Sequence, residues 1–389
     1  MSDTTPLRMG IIGCGFVTIR SHIPALQTLT EMRVAAVADP VDSRCREARE
    51  ALGLPESAAF SSYRAMLEAG PLDYVLVAVP PGARGPILQD CLEAGIHVLC
   101  EKPLALRPRD ARNLIDQASA AGLRFGMVHN YLFYPEYMAV RERIASGDLG
   151  QVRHIGLKFL GVPDYPGHPE YRPQWRHDAS EAGGGVLMDM IHVLYLAEHL
   201  AGDRIRAVGA VIDNLAYADG EVEDLALLQL YFERSYATIH LGWGHGPGGI
   251  EVTGSAGRML VYYRDHQTGP FAEVAEVEVV TARGIEHGLP AWTSPTHTTF
   301  QALHKDFASA VRGGGRPVAP AESGLGALEA ALASYASALT GRVIELPLDP
   351  ADPMYARGLQ GLTELPAWDS SPLLRRRLFG LSLKARPVA

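Results

Sequence analysis

Five short runs in the first 128 residues are almost wholly apolar, and each is followed or preceded by a stretch with helical spacing. Strands apolar on both sides have to be covered on both sides, so this alternation restricts the region to a doubly wound parallel sheet of the α/β class. The runs are Met9–Gly15 (MGIIGCG), Arg33–Ala38 (RVAAVA), Leu72–Val79 (LDYVLVAV), His97–Cys100 and Arg124–Val128. Helices are predicted over Phe16–Leu29, Ser43–Leu52, Tyr63–Glu68, Ile87–Ala94 and Asp110–Ala120.

Beyond about Asn130 the texture changes. A helix near Glu136–Ser146 precedes alternating segments at Gln151–Leu160, Ala207–Asp213, Leu225–Phe232, Tyr236–Trp243 and Ile250–Thr253, which predict a mostly antiparallel sheet with one face covered. A glycine-started helix is expected over Glu181–Leu200, and two more over Thr299–Val311 and Gly324–Leu339. The expected division is residues 1–128 as a nucleotide-binding domain, 129–349 as an α+β domain, and 350–389 as a proline- and arginine-rich extension that contacts a partner. Such a chain is long enough for two cores.

Charge excludes one large class of function. With 35 basic and 44 acidic residues the net charge is -9, and no basic run offsets it, so a phosphate backbone would be repelled. The start, Met1 to Arg8, lacks a secretion signal and no window reaches the roughly 18 apolar residues of a membrane span, so a cytoplasmic protein is expected. Cys14, Cys45, Cys91 and Cys100 have no zinc-type spacing and are expected as reduced core residues; the histidines are scattered, and no metal is expected.

Three motifs carry chemistry. In the first, Gly13-Cys14-Gly15 joins strand to helix, with Thr18 where the dinucleotide fingerprint has its third glycine. Glycines there let a pyrophosphate approach backbone N–H groups at a helix start, so Gly13, Gly15, Phe16 and Val17 are candidate cofactor contacts. The same turn also fits an ordinary strand-to-helix connection. Asp39, ending the second strand, stands where a carboxylate meets ribose hydroxyls and favours NAD over NADP; nearby Arg44 softens that preference. Asp39 before Pro40 also fits the start of a turn.

Second comes Glu101-Lys102-Pro103, at the carboxyl end of a strand, where open α/β sheets bind ligands. A lysine beside a nicotinamide would donate to the reacting oxygen; by itself it reads as a surface residue. Third is Gly183 to His192 (GGGVLMDMIH), which sets Asp189 and His192 three apart and so on one face of a helix. A histidine there would exchange a proton with an alcohol, and a buried histidine satisfied by a carboxylate fits equally.

In this order the motifs resemble the Gfo/Idh/MocA family, which includes glucose-fructose oxidoreductase and inositol dehydrogenase. The likeness runs through GIIGCGF, VADP, VAVPPGARG, AGIHVLCEKPLAL, HNYLFYPEY, QWRHDASEAGGGVLMDMIH and EVTGSAGRM to the closing FASAVRGGGRPV. It implies a Rossmann domain followed by an α+β domain with a large open sheet, through which a homodimer or homotetramer would form. It implies Lys102, Asp189 and His192 as catalytic positions, Glu101, Pro80 and Asn130 on the nicotinamide side, and Tyr131, Trp175 and Arg176 toward substrate. NAD, or NADP, would be the cofactor, and a sugar, cyclitol or aminocyclitol the substrate.

Three residues depart from the family pattern. The aspartate-to-histidine step is three rather than four, Arg84 stands where a histidine is common, and Tyr131 replaces a frequent arginine. The expected reaction is hydride transfer between a secondary carbinol and a nicotinamide, with His192 or, failing it, Lys102 taking the proton. A non-catalytic dinucleotide sensor and an NAD-using glycosidase remain as alternatives.

Overall fold

A computed structural model of the chain describes residues 5–162, 174–215, 222–244, 246–263, 274–288 and 296–370. Two compact units emerge, one from Met1–Ala105, Asp110–Phe133 and Ser294–Leu325, the other from Leu106–Arg109, Tyr134–Thr293 and Gly326–Ala389.

The first unit is built on β1 (Leu7–Ile12), β2 (Met32–Ala38), β3 (Ala59–Phe60), β4 (Tyr74–Val77), β5 (His97–Cys100) and β6 (Phe125–Met127). They form one sheet in the order β3-β2-β1-β4-β5-β6, every pair parallel. All four residues of β4 are buried, as a strand covered on both faces requires. The chain runs outward from β1 to β2 and β3 and then crosses back to β4 on the other side of β1, the reversal at which such sheets open a crevice at the strands' carboxyl ends. Gly13 follows β1 and Lys102 follows β5, two strands away.

Part of this core comes from far along the chain. Helix Thr296–Gly313 places Phe300, Leu303 and Phe307 among Met9, Ile11, Tyr74 and Val128. The Phe307 ring meets Tyr74 edge to face at 5.4 Å and covers Gly126, where an added Cβ would lie 2.7 Å from it. The Met127 N–H then donates to the Ala319 carbonyl at 2.8 Å. A contiguous division of the sequence puts this helix with the later strands; packing puts it here, because its apolar face completes the parallel sheet's cover.

The second unit holds β7 (Val152–Val162), β8 (Ala207–Asp213), β9 (Leu225–Tyr231), β10 (Tyr236–Trp243), β11 (Gly248–Gly254), β12 (Gly257–Tyr263), β13 (Val274–Thr281), β14 (Gly284–Gly288) and β15 (Ile344–Glu345). Their order is β14-β13-β12-β11-β7-β10-β9-β8-β15, antiparallel except where β7 runs parallel to β10. Along β9 buried and less buried residues alternate, the signature of a sheet covered on one side. After Pro350, the helix Pro353–Arg357 and the turn Gly358–Glu364 bury Met354, Leu359 and Leu362. Residues 371–389, to which the expectation of a partner-contacting extension also applies, lie outside the described residues.

The glycine-led segment is not the single helix its spacing predicts. It consists of Ala179–Ala182, Val186–Asp189 and His192–Ala201, broken first by left-handed Gly183 (φ 83°) and again at Met190 and Ile191. Buried Glu223 organises the turn: its two carboxylate oxygens accept from the N–H groups of Gly185 (2.8 Å) and Leu187 (3.0 Å), and one also accepts from the Tyr335 hydroxyl (2.7 Å). An added Cβ would lie 2.0 Å from the Tyr335 hydroxyl at Gly184 and 2.1 Å from the Glu223 carbonyl oxygen at Gly185. Both glycines are thus required by close approach.

Replacing Phe307 with alanine should cost about 3–5 kcal/mol in equilibrium unfolding, and a loss below about 1 kcal/mol would contradict this packing. Burial outweighs the donors around Glu223 and pushes its carboxyl up to about 7 from an ordinary value of 4.5. Folded protein therefore keeps a proton that the unfolded chain releases, and stability falls as pH rises through that window. Glu223→Gln should cost about 1–3 kcal/mol near pH 5, and the gap to the unsubstituted protein should narrow toward about pH 8. A gap that widens would contradict the sign.

Candidate active site

The turn after β1 fits a dinucleotide pyrophosphate on three observations. Gly13 has φ 96°, and an added Cβ would meet the Ala78 carbonyl oxygen at 2.4 Å, so the backbone there admits only glycine. At Gly15 an added Cβ would meet nothing within 4 Å, so its backbone faces open space. Residues 16–26 then run on as a helix with a π-turn at Thr18–His22, which directs a helix start toward that space. Thr18, fully buried, donates its hydroxyl to the Gly13 carbonyl at 2.7 Å and so replaces a third glycine with a brace.

Asp39 is buried at the end of β2, and the reading of it as the start of a turn is borne out. One carboxylate oxygen accepts from the Cys14 N–H and the other from the Val41 N–H, each at 2.8 Å, so it holds the glycine turn and opens the next helix. Each oxygen has a second lone pair for a ribose hydroxyl. Phe16 is 42% exposed, Val17 is half-buried, and Arg44 and Pro80 are exposed, while Asn130 and Tyr131 are buried.

Around Lys102 the turn is fixed from both sides. The buried Arg84 guanidinium donates to the carbonyls of Glu101 (2.6 Å) and Val79 (2.6 Å) and to that of Pro103. On the other side, the Glu101 carboxylate accepts from the Lys102 N–H at 3.1 Å. Burial pushes the Glu101 carboxyl up, but the hydrogen bond and field of His22, with Lys102 and Arg84, outweigh it and hold the group below its ordinary range. Lys102 itself is half-buried. Arg84, noted in the sequence as a departure from the family pattern, thus holds the turn through its guanidinium.

In the second unit, Asp189 ends one helix and His192 starts the next, so the expectation of one shared helical face does not hold. With the break at Met190 and Ile191, the three-residue step from Asp189 to His192 does not run along one helix. Asp189 lies 3.4 Å from the Arg176 guanidinium, whose carbon sits 5.6 Å from the centre of the Trp175 ring. The structure thus brings Trp175, Arg176 and Asp189 together. His192 is buried, with Nδ1 2.5 Å from the Tyr195 hydroxyl.

Sequence reasoning missed His22, His304, Tyr195 and Glu223. Tyr195 was findable, being three residues beyond His192 on one helix. The other three are partners across 38 to 282 positions and carry no local signal. The four cysteines are buried and unbridged, and burial raises Cys91 to about 12 and Cys100 to about 11. Among the described residues no group of three or more histidines, cysteines or carboxylates is placed to hold a metal ion, and no helix is long and apolar enough to cross a membrane.

Residues 7–129 match the oxidoreductase family with an NAD-binding Rossmann fold, and residues 137–260 match the GFO/IDH/MocA C-terminal domain. The chain is 30% identical over 315 residues to a dTDP-3,4-didehydro-2,6-dideoxy-alpha-D-glucose 3-reductase of Streptomyces violaceoruber, covering 80% of this chain and 86% of the relative. It is 27% identical over 351 residues to a D-apiose dehydrogenase of Paraburkholderia graminis, covering 86% and 88%. Among solved structures, aldose-aldose oxidoreductase from Caulobacter crescentus superposes with a TM-score of 0.77 at 25% identity, over 88% of this chain and all of that one. A 3-ketoreductase from Actinomadura kijaniata, in complex with TDP-benzene and NADP, gives 0.69 at 26% identity, over 83% and 94%. A glycine turn, a braced lysine turn and a glycine-led helix start on these two sheets therefore have one common source: the chain belongs to the Gfo/Idh/MocA family of NAD(P)-dependent oxidoreductases.

Proposed function

We propose that this chain transfers a hydride between the nicotinamide of NAD and the secondary alcohol or ketone of a sugar, cyclitol or aminocyclitol. The observation that carries this reading is the Lys102 turn, braced on both sides at the carboxyl end of β5 in the sheet whose β1 ends in the glycine turn. Bracing of that kind makes sense for a cation that must be presented in one direction. Relatives whose names state a sugar 3-reductase and a sugar dehydrogenase support the substrate class.

Bound NAD supplies the hydride acceptor. The chain's own residues do the rest. Lys102 donates to the reacting oxygen and holds the charge that develops there. His192 takes the hydroxyl proton in the oxidation direction, its ring oriented by the Tyr195 hydroxyl on Nδ1. Asp189 and Arg176, paired, address neighbouring hydroxyls, and Trp175 and Tyr131 offer aromatic faces to a sugar ring. Asp39 favours NAD over NADP by repelling a 2'-phosphate. The open later sheet would form a homodimer or homotetramer.

Incubation with NAD, then NADP, across inositols, aldoses, sugar acids and aminocyclitols separates the classes. Growth of NADH absorbance supports the dehydrogenase; product without NADH would indicate a glycosidase, and neither would indicate a sensor. Lys102→Met should lower turnover at least about a hundredfold while NAD affinity stays within about threefold. Unchanged turnover would remove Lys102 from the chemistry. His192→Phe should lower kcat and flatten the acid limb of its pH profile, and an unaltered limb would shift the proton transfer elsewhere.

A further inference from the structure

His22 and His304 are 282 residues apart and meet in the interior of the first unit, both fully buried. His22 Nδ1 lies 3.0 Å from His304 Nε2, and His22 Nε2 lies 3.2 Å from Glu101 Oε1. The Phe300 ring meets His22 edge to face at 4.7 Å and excludes water from that side. His304 Nδ1 is buried with no hydrogen-bond partner.

That arrangement fixes where the protons are. Burial and then His22 hold His304 well below its ordinary range, so it is neutral. The ionised Glu101 oxygen can only accept, so His22 Nε2 carries a proton toward it. With no partner at His304 Nδ1, that atom is best left as a bare lone pair, so the proton of neutral His304 sits on Nε2 and is donated to His22 Nδ1. The opposite arrangement would leave a buried N–H donor orphaned, the costlier of the two defects.

We propose that His22 and His304 are positioning residues for Lys102: the two imidazoles fix the Glu101 carboxylate so that its other oxygen holds the Lys102 N–H. Arg84 ties down the carbonyls of Glu101 and Pro103, and the bond to this N–H holds the turn from the other side. The chain His304–His22–Glu101–Lys102 therefore sets the direction of the ammonium from a helix remote in sequence. This inference rests on the reading of Lys102 as the group that acts on the reacting oxygen.

Side-chain nitrogen NMR of the histidine-labelled protein near neutral pH reads the proton arrangement without turnover. Both rings should be in the Nε2–H tautomer, and an Nδ1–H tautomer at either one would overturn the chain. His304→Leu should lower kcat by about ten- to a hundredfold with NAD affinity within about threefold, and His304→Gln, which can donate an N–H to His22, should restore most of it. Unchanged kcat in His304→Leu, or equal loss in the leucine and glutamine variants, would overturn the positioning role. Should the leucine variant fail to fold, His304→Gln decides alone: it must keep kcat and the His22 Nε2–H signal, and loss of either contradicts the proposal. Lys102→Met keeps the two ideas apart, because full turnover there defeats the lysine reading, whatever the histidines do.

Discussion

A carboxylate taken out of water has to find donors on every side, and the first unit's site is organised around one that does. Glu101 sits buried at the end of β5, with one oxygen toward His22 and the other on the Lys102 N–H. An uncompensated ion there would cost several kcal/mol, so the surrounding groups cannot move independently. Fixing Glu101 fixes the turn, and fixing the turn fixes where a lysine can point. Helix Thr296–Gly313 reaches the same group through His304, so the sheet's cover and the candidate chemistry share one packing problem.

The second unit solves a like problem with the same physics. Glu223 is buried and satisfied by two backbone N–H groups and a tyrosine hydroxyl, and the turn it holds leads directly to Asp189. The difference lies in charge. Glu101 has a histidine, a lysine and an arginine nearby and is held below its ordinary range, whereas Glu223 has only neutral donors and is pushed up. One brace is anionic around neutrality; the other takes up a proton as pH falls toward it.

What the sequence disclosed follows from how local each signal is. The strands of the parallel sheet were legible because residues such as Tyr74–Val77 are buried on both faces and read as unbroken apolar runs. β3 and β15 were not, being two residues long, and β14, with all five residues exposed, has no apolar pattern to find. The GGG run read as the start of one helix; contact with Tyr335 and Glu223 demands Gly184 and Gly185 instead, and Gly183 and Met190 break the continuous helix that spacing suggested. Candidate residues such as Lys102 and Asp39 stood out by position on the sheet. The residues that hold the Lys102 turn from afar, His22 and His304, did not, because a partner's identity depends on which distant segments pack together, and Arg84 stood out only as a departure from the family pattern.

A crystal structure with NAD bound tests the central claim most directly. The account predicts the pyrophosphate against the backbone of Gly13 to Gly15 and the nicotinamide beside Lys102, with Glu101 still held between His22 and the Lys102 N–H. A nicotinamide seated away from that ammonium, or a lysine turned to solvent with its turn rearranged, would contradict it.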